Sequence, residues 1–185
     1  MTRTPSLLAI ELRQTRPFRS RVEEGVVGLF RTAEIVRRAL GGVLAARGIT
    51  LQQYNVLRIL RGAGREGIPT LEIGARMVEQ APGVTRLLDR LEAKGLVRRA
   101  RCRADRRQVL CWIEPGGTRL LGDLERPMRD AARRRLAGLD ARGLDSLITL
   151  MEAVRTDVPS QAAPPAVKRR STGHGQSPGR QGESR

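Results

Sequence analysis

From Pro82 to Ile113 the chain reads PGVTRLLDRLEAKGLVRRARCRADRRQVLCWI, and within that stretch the spacing of apolar residues changes period. Val84, Leu87, Leu88 and Leu91 recur at three- and four-residue steps, which places them on one face of a helix. Pro82 stands at a first-turn position and Gly95 at a C-terminal stop, the usual asymmetry of helix ends. Beyond Gly95 the period drops to two. Leu96 to Cys102 and Gln108 to Ile113 read as short strands, with Val109, Cys111 and Ile113 alternating along the second. A helix that gives way at one glycine to a hairpin leaves few folds open. The turn of that hairpin is also densely charged: six of the ten positions from Arg98 to Arg107 are arginine. Like charges at that density repel one another unless an anion outside the chain pairs with them.

The flanking segments narrow the choice. Between Glu23 and Arg47, Leu29, Ala33, Val36, Leu40, Val43 and Leu44 mark an amphipathic helix that Gly48 stops. Thr50 heads TLQQYNVLRIL with Gln53 three residues on, a capping box, and this helix is expected to run to Arg61 and end at Gly62. Thr70 then caps a short helix through about Val78. That helix and the one ending at Gly95, tightly connected, form a helix-turn-helix; with the hairpin behind it the unit is a winged helix, and the arginine-rich turn is its wing. Downstream, Pro115 to about Ala137 is helical, with an expected kink at Pro127. Asp140 caps a last helix striped by Leu144, Leu147, Ile148, Met151 and Val154.

The fold class expected is mainly α with a small β-wing: a winged helix-turn-helix flanked by N- and C-terminal dimerisation helices. Residues 1–22 form an arm or a short first helix, residues 23–156 the domain, with its DNA-binding part at about 50–113, and residues 157–185 a disordered basic tail. That tail is rich in Pro, Gly, Ser and Arg and carries a net charge of +3. The apolar stripes on 23–47, 115–137 and 140–156 exceed what one small core can cover, so a homodimer is expected to bury them across a two-fold axis.

Composition then excludes several function classes. The only histidine, His174, lies in the tail, which leaves the core without imidazole acid–base chemistry, a nucleophile–histidine pair or a histidine-rich zinc site. LGGVLAARG at 40–48 lacks phosphate-loop spacing and sits in a helical pattern, and the acids are scattered among arginines. No catalytic residue, cofactor or metal is expected. No apolar run can span a bilayer or serve as a signal peptide, so no membrane association and a cytoplasmic location are expected. The formal net charge of +16 favours a polyanion. Arginine outnumbers lysine 33 to 2, a bias that a GC-rich genome also produces, so total charge does not decide the matter. Its placement does: residues 82–107 hold nine basic and three acidic side chains, a net of +6 on the expected reading surface.

With its elements in this order the chain resembles the MarR (multiple antibiotic resistance regulator) family of bacterial winged helix-turn-helix transcription factors. GVTRLLDRLEAKGLVRR at 83–99 is similar to the family's recognition helix and first wing strand. DRRQVLCWIEPGG at 105–117 is similar to its Asp-x-Arg wing tip, second strand and entry to the next helix. The resemblance implies a homodimer with intertwined terminal helices above two winged helices. It implies sequence-specific binding of double-stranded DNA at a pseudo-palindromic operator, as a repressor released by a small-molecule effector. Ala81, Glu114 and Trp112 depart from the family pattern: the first two stand where hydroxyl caps are usual, and the third where a small or polar strand residue is.

The candidate contacts follow. Gly83, Thr85 and Arg86 open the recognition helix, where side chains meet base edges in the major groove. Arg86 can donate a bidentate pair to guanine, and the Thr85 hydroxyl and methyl can meet a phosphate or a thymine. Arg90, a turn on, reaches the DNA backbone or, in the plainer reading, pairs with Asp89, Glu92 or another nearby acid and merely solvates the helix. The resemblance implies that Arg107 enters the minor groove with Asp105 orienting its guanidinium; arginine's weakly hydrated fork suits that groove better than lysine. Arg98, Arg99, Arg101, Arg103 and Arg106 are expected on phosphates.

Cys102 and Cys111 flank the wing tip, either as a redox pair, if the register allows it, or as small strand residues with Cys111 inward. A different class of function also fits an arginine-rich wing: a module for nonspecific, nucleoid-type DNA binding or for protein–protein interaction. An aromatic content of 2% argues against single-strand stacking.

Overall fold

The computed structural model describes residues 6–79, 83–102 and 104–156. Its first elements are a short helix α1 (Leu7–Glu11), capped by Ser6, and the long helix α2 (Arg21–Ala45). The Ser20 hydroxyl accepts from the Glu23 amide at 3.1 Å, which starts α2 two residues before the periodicity does. Helix α3 (Leu51–Ala63) opens on the expected capping box. Thr50 Oγ1 accepts from the Gln53 amide at 3.2 Å, and Gln53 Oε1 accepts from the Thr50 amide at 3.0 Å, which satisfies a side chain that is otherwise buried. This helix passes through Gly62 and ends at Gly64, where φ is +67°. Burial of Val56, Leu57 and Leu60 outweighs the roughly 1 kcal/mol that an interior glycine costs.

A two-residue strand β1 (Ile68–Pro69), too short to show a period, leads directly into α4 (Thr70–Arg76). Thr70 was expected to cap α4, but Pro69 occupies that position. Because β1 pairs with the wing, Thr70 is carried alongside it, and its hydroxyl donates to the Val109 carbonyl at 3.3 Å instead. Helix α5 (Val84–Glu92) follows, then strands β2 (Val97–Arg101) and β3 (Val109–Ile113). The sheet is antiparallel in the order β1-β3-β2, so β2 is an edge strand. Ala81 and Pro82 lie outside the described residues, as does the tail 157–185 with His174.

Helix α6 (Pro115–Arg135) runs through Pro127 without interruption. Glu114 caps it without a side-chain bond to the helix amides, its carboxylate turning to Arg98 at 3.1 Å. Asp140 starts α7 (Ala141–Thr156) as expected, accepting from the Gly143 amide at 2.8 Å. The core gathers Leu44 from α2, Val56, Leu57 and Leu60 from α3, Ile73 from α4, Leu88 and Leu91 from α5, Cys111 from β3, and Leu121 and Leu124 from α6. Ion pairs Arg47–Asp123 at 3.5 Å and Arg61–Glu125 at 2.8 Å link α6 to the segment just past α2 and to α3 at the surface. The expected apolar stripes are covered only in part: Leu44 on α2 and Leu121, Leu124 and Met128 on α6 are buried within the chain, whereas Val22, Val26, Leu29 and Phe30 on α2 and Leu144, Ile148 and Val154 on α7 are exposed, and α7 buries no residue. No helix among the described residues is long and apolar enough to cross a membrane.

Two glycines have opposite roles. Gly67 holds φ at +73°, and a Cβ there would lie 2.5 Å from the Trp112 indole, whose Nε1 donates to the Arg65 carbonyl at 3.1 Å. Gly62 is helical, with open space where a Cβ would go. Gly62→Ala is expected to raise stability by about 0.5–1 kcal/mol. Gly67→Ala is expected to lower it by about 2 kcal/mol or more, through the strained φ and the displaced indole. Urea denaturation of the two variants checks the pair; equal effects would contradict the packing described.

Candidate nucleic-acid interface

Helix α5 begins at Gly83, whose φ of +107° lies in the left-handed region, and no side chain among the described residues caps its first amides. Those amides and the positive end of the helix dipole are open to an anion. Val84, Leu87, Leu88 and Leu91 face inward, half-buried or buried, and Thr85, Arg86, Asp89 and Arg90 face out. The Arg86 stem lies over Gly83: a Cβ on that glycine would be 3.9 Å from Arg86 Cδ. Neither Arg86 nor Arg90 forms an ion pair with another described residue. The plainer reading of Arg90, pairing with Asp89 or Glu92, is not what the structure shows, because another arginine holds both carboxylates.

That arginine is set by the hairpin register. Arg99 lies opposite Cys111, and Cys111 is fully buried, so Arg99 occupies the inward face of the wing with Val97 and Arg101. From there it reaches helix α5. Its Nε and Nη2 donate to Glu92 Oε2 at 3.0 and 2.5 Å, and its amide donates to Glu92 Oε1 at 3.0 Å. Nη2 also lies 2.7 Å from Asp89 Oδ1. The hydrogen bonds from Arg99 hold the Glu92 carboxyl below its ordinary range, and the bond to Glu92 holds the Arg99 guanidinium above its own. Sequence reasoning set Arg99 on a phosphate; the structure gives it two carboxylates inside the chain. Strand alternation carried the missed signal, since Arg99 shares its parity with Val97 and not with Arg98.

Arg98, on the outer face, stacks over the Trp112 ring at 4.0 Å and pairs with Glu114, so its head is also engaged. Arg101, Arg106 and Arg107 are exposed and pair with no other described residue. Arg103 lies outside the described residues. Asp105 does not orient the Arg107 guanidinium, as had been expected. Its Oδ1 accepts from the Arg107 amide at 3.0 Å, its Oδ2 from Gln108 Nε2 at 3.1 Å, and its carbonyl from the Gln108 amide at 2.9 Å. The carboxylate thus closes an Asx-type turn, and it fixes the backbone from which Arg106 and Arg107 project.

Six of the expected contacts, Gly83, Thr85, Arg86, Arg90, Arg106 and Arg107, are therefore exposed on α5 and the wing tip, with Arg101 exposed between them on β2. What the arrangement offers chemically, among the described residues, is a helix N-terminus without a side-chain cap beside a hydrogen-bonded turn whose guanidinium groups have no acidic partner. Both are fitted to an extended anion with grooves. This is the architecture of a winged helix-turn-helix DNA-binding protein.

Comparison with known proteins agrees. The model of the MarR family matches residues 49–109. The chain is 40% identical to a MarR transcription factor from Planctomyces limnophilus whose crystal structure is known, over 74% of this chain and 98% of that one, with a TM-score of 0.59. A mutant of MarR from E. coli, solved in complex with operator DNA, is 26% identical over 69% of this chain and 90% of its own, with a TM-score of 0.63. The HTH-type transcriptional regulator TtmR of Methylorubrum extorquens (strain PA1) is 39% identical over 97 residues, which is 52% of this chain. The match spans 49% of that curated relative. The chain belongs to the MarR family and is a MarR-type transcriptional regulator.

The register also decides the cysteine question. Cys102 donates its amide to the Gln108 carbonyl at 2.9 Å, while Cys111 lies opposite Arg99, so the two are three positions out of step and on opposite faces of the ribbon. Both are free thiols. Burial pushes the Cys111 thiol up, partly offset by a contact with the Thr70 hydroxyl at 3.5 Å. Alkylation of the native protein with iodoacetamide at pH 8 is expected to label half-buried Cys102 and spare Cys111 until unfolding. Equal labelling rates in the native state would contradict this packing.

Proposed function

We propose that the protein is a cytoplasmic, homodimeric repressor that reads a pseudo-palindromic operator and is released by a small-molecule effector. The observation that carries the DNA reading is the division of the arginines. Arg99 takes up the two acids of α5, which leaves Arg86 and Arg90 on the exposed face of the helix and Arg106 and Arg107 at the turn without a partner among the described residues. Likeness to a MarR solved on operator DNA supports the same surface. On this reading Arg86, Thr85 and Gly83 meet the major groove and Arg107 enters the minor groove. Arg90, Arg101, Arg103 and Arg106 hold phosphates. Arg98 and Asp105 shape the wing.

Dimerisation is supported by the uncovered stripes. Val22, Val26, Leu29 and Phe30 on α2 and Leu144, Ile148 and Val154 on α7 are exposed, and apolar side chains grouped on exposed helix faces mark surfaces for another protein. An effector role is supported by a cleft of about 550 Å³ among Leu40, Tyr54, Arg58, Met77, Met128 and Arg129. It joins α2 and α6 to α3 and the end of α4, so an occupant there touches both the long helices and the winged unit.

Selection of bound duplexes from random DNA tests the reading. The bound consensus should be two-fold symmetric, with half-site centres about 10 bp apart. Arg86→Ala should cost about 1–3 kcal/mol on that site and relax preference at one base pair per half-site. Arg101→Ala should weaken all sequences alike and lower the log–log salt slope by about 0.9. Identical behaviour of the two variants across a sequence panel would favour nonspecific DNA binding instead.

A further inference from the structure

Arg99 differs from the other wing arginines described in being turned toward the recognition helix and gripped there. Its side chain is 22% exposed, against 55% for Arg98. Glu92 accepts from its guanidinium and from its backbone amide, so the carboxylate ties down the strand itself as well as a side chain. Strand β2 is an edge, and the amide of Arg99 points away from β3; Glu92 closes that open edge position. Asp89, one turn earlier on α5, adds a second anchor at 2.7 Å. With Nε on Glu92 and Nη2 shared between Glu92 and Asp89, the planar guanidinium is fixed in direction as well as distance.

We propose that Arg99 is a positioning residue that sets the angle between helix α5 and the wing, so that both read one half-site in a fixed relative frame. This rests on the DNA reading proposed above. Lever length makes the angle matter. The ladder continues from Arg99 through Arg101 to the Cys102–Gln108 bond, three residues or about 10 Å at roughly 3.3 Å per residue, before the turn begins. A rotation of roughly 20° at the clamp then moves the base of the turn by about 3.5 Å, more than half the roughly 6 Å width of a minor groove. Transferring Arg99 to a phosphate would break its bonds to both acids and leave them unpaired beside the DNA, which makes a direct backbone contact the weaker use of this side chain.

Lysine separates the two roles. A phosphate contact needs a positive charge, which lysine keeps; a two-carboxylate clamp needs the planar fork, which lysine lacks. The experiment uses the full-length protein and three duplexes: the selected site, the same site with its half-site core altered, and the same site with its A/T-rich flanks replaced by G/C. Arg99→Lys and Glu92→Gln should both reduce flank discrimination by roughly threefold or more while keeping core discrimination. Arg107→Ala should add little to the flank loss in either background, because an unclamped wing no longer places Arg107. Thermal melts check that each variant folds, and Glu92→Gln stands in should Arg99→Lys fail to do so. Arg99→Lys binding all three duplexes as the wild type does, or flank losses that multiply independently with Arg107→Ala, would overturn the clamp. Wild-type protein that does not distinguish the duplexes would overturn the DNA reading itself, and the clamp with it.

Discussion

Register in the wing hairpin decides what the rest of this surface can be. Antiparallel pairing sets Arg99 opposite Cys111 and Val97 opposite Ile113, so buried Cys111 and Val97 fix which face of the ribbon meets the core. A slip of β2 by one residue would replace Arg99 by Arg98 or Ala100 on the inner face. The carboxylates of Asp89 and Glu92 would then lose the fork that holds them. Hydrophobic patterning therefore sets an electrostatic outcome: it selects which arginine is spent inside the chain and which remain free.

The free ones give the surface its character. A wing with six arginines in ten positions cannot be neutralised by the acids near it, and the structure does not distribute those acids evenly. Asp89 and Glu92 go to Arg99, Glu114 goes to Arg98, and Asp105 is turned to backbone and amide donors at the tip. Arg86 and Arg90 on α5 and Arg101, Arg106 and Arg107 on the wing keep no partner among the described residues. Their residual field, beside a helix N-terminus that no described side chain caps, suits a polyanion better than any small acid.

Most of the fold was legible because its signals are local. The Thr50–Gln53 box, the Leu87–Leu88–Leu91 stripe, the stop at Gly95 and the alternation Val109–Cys111–Ile113 each depend on a few neighbouring residues, and each stands in the structure as read. What was not legible depends on partners distant in sequence. Strand β1 exists only because Ile68 and Pro69 find β3, and the same pairing draws Thr70 away from the cap it was expected to make. Trp112 looked out of place on a strand until Gly67 and Arg98 were found beneath and above it. The candidate site shows the same division. The exposed face of α5 was read from its helical period. The separate employment of Arg98, Arg99 and Asp105 needed the register and the positions of the facing acids.

The central claim is that α5 and the wing tip act together, twice, across a two-fold axis on one face of a DNA duplex. Hydroxyl-radical footprinting of the wild-type protein on its selected duplex tests this most directly. The account predicts two symmetric sets of backbone protections about one helical turn apart, each continued by a protected minor groove on its outer side. Continuous protection without two-fold symmetry, or half-sites lacking the outer minor-groove protections, would contradict it.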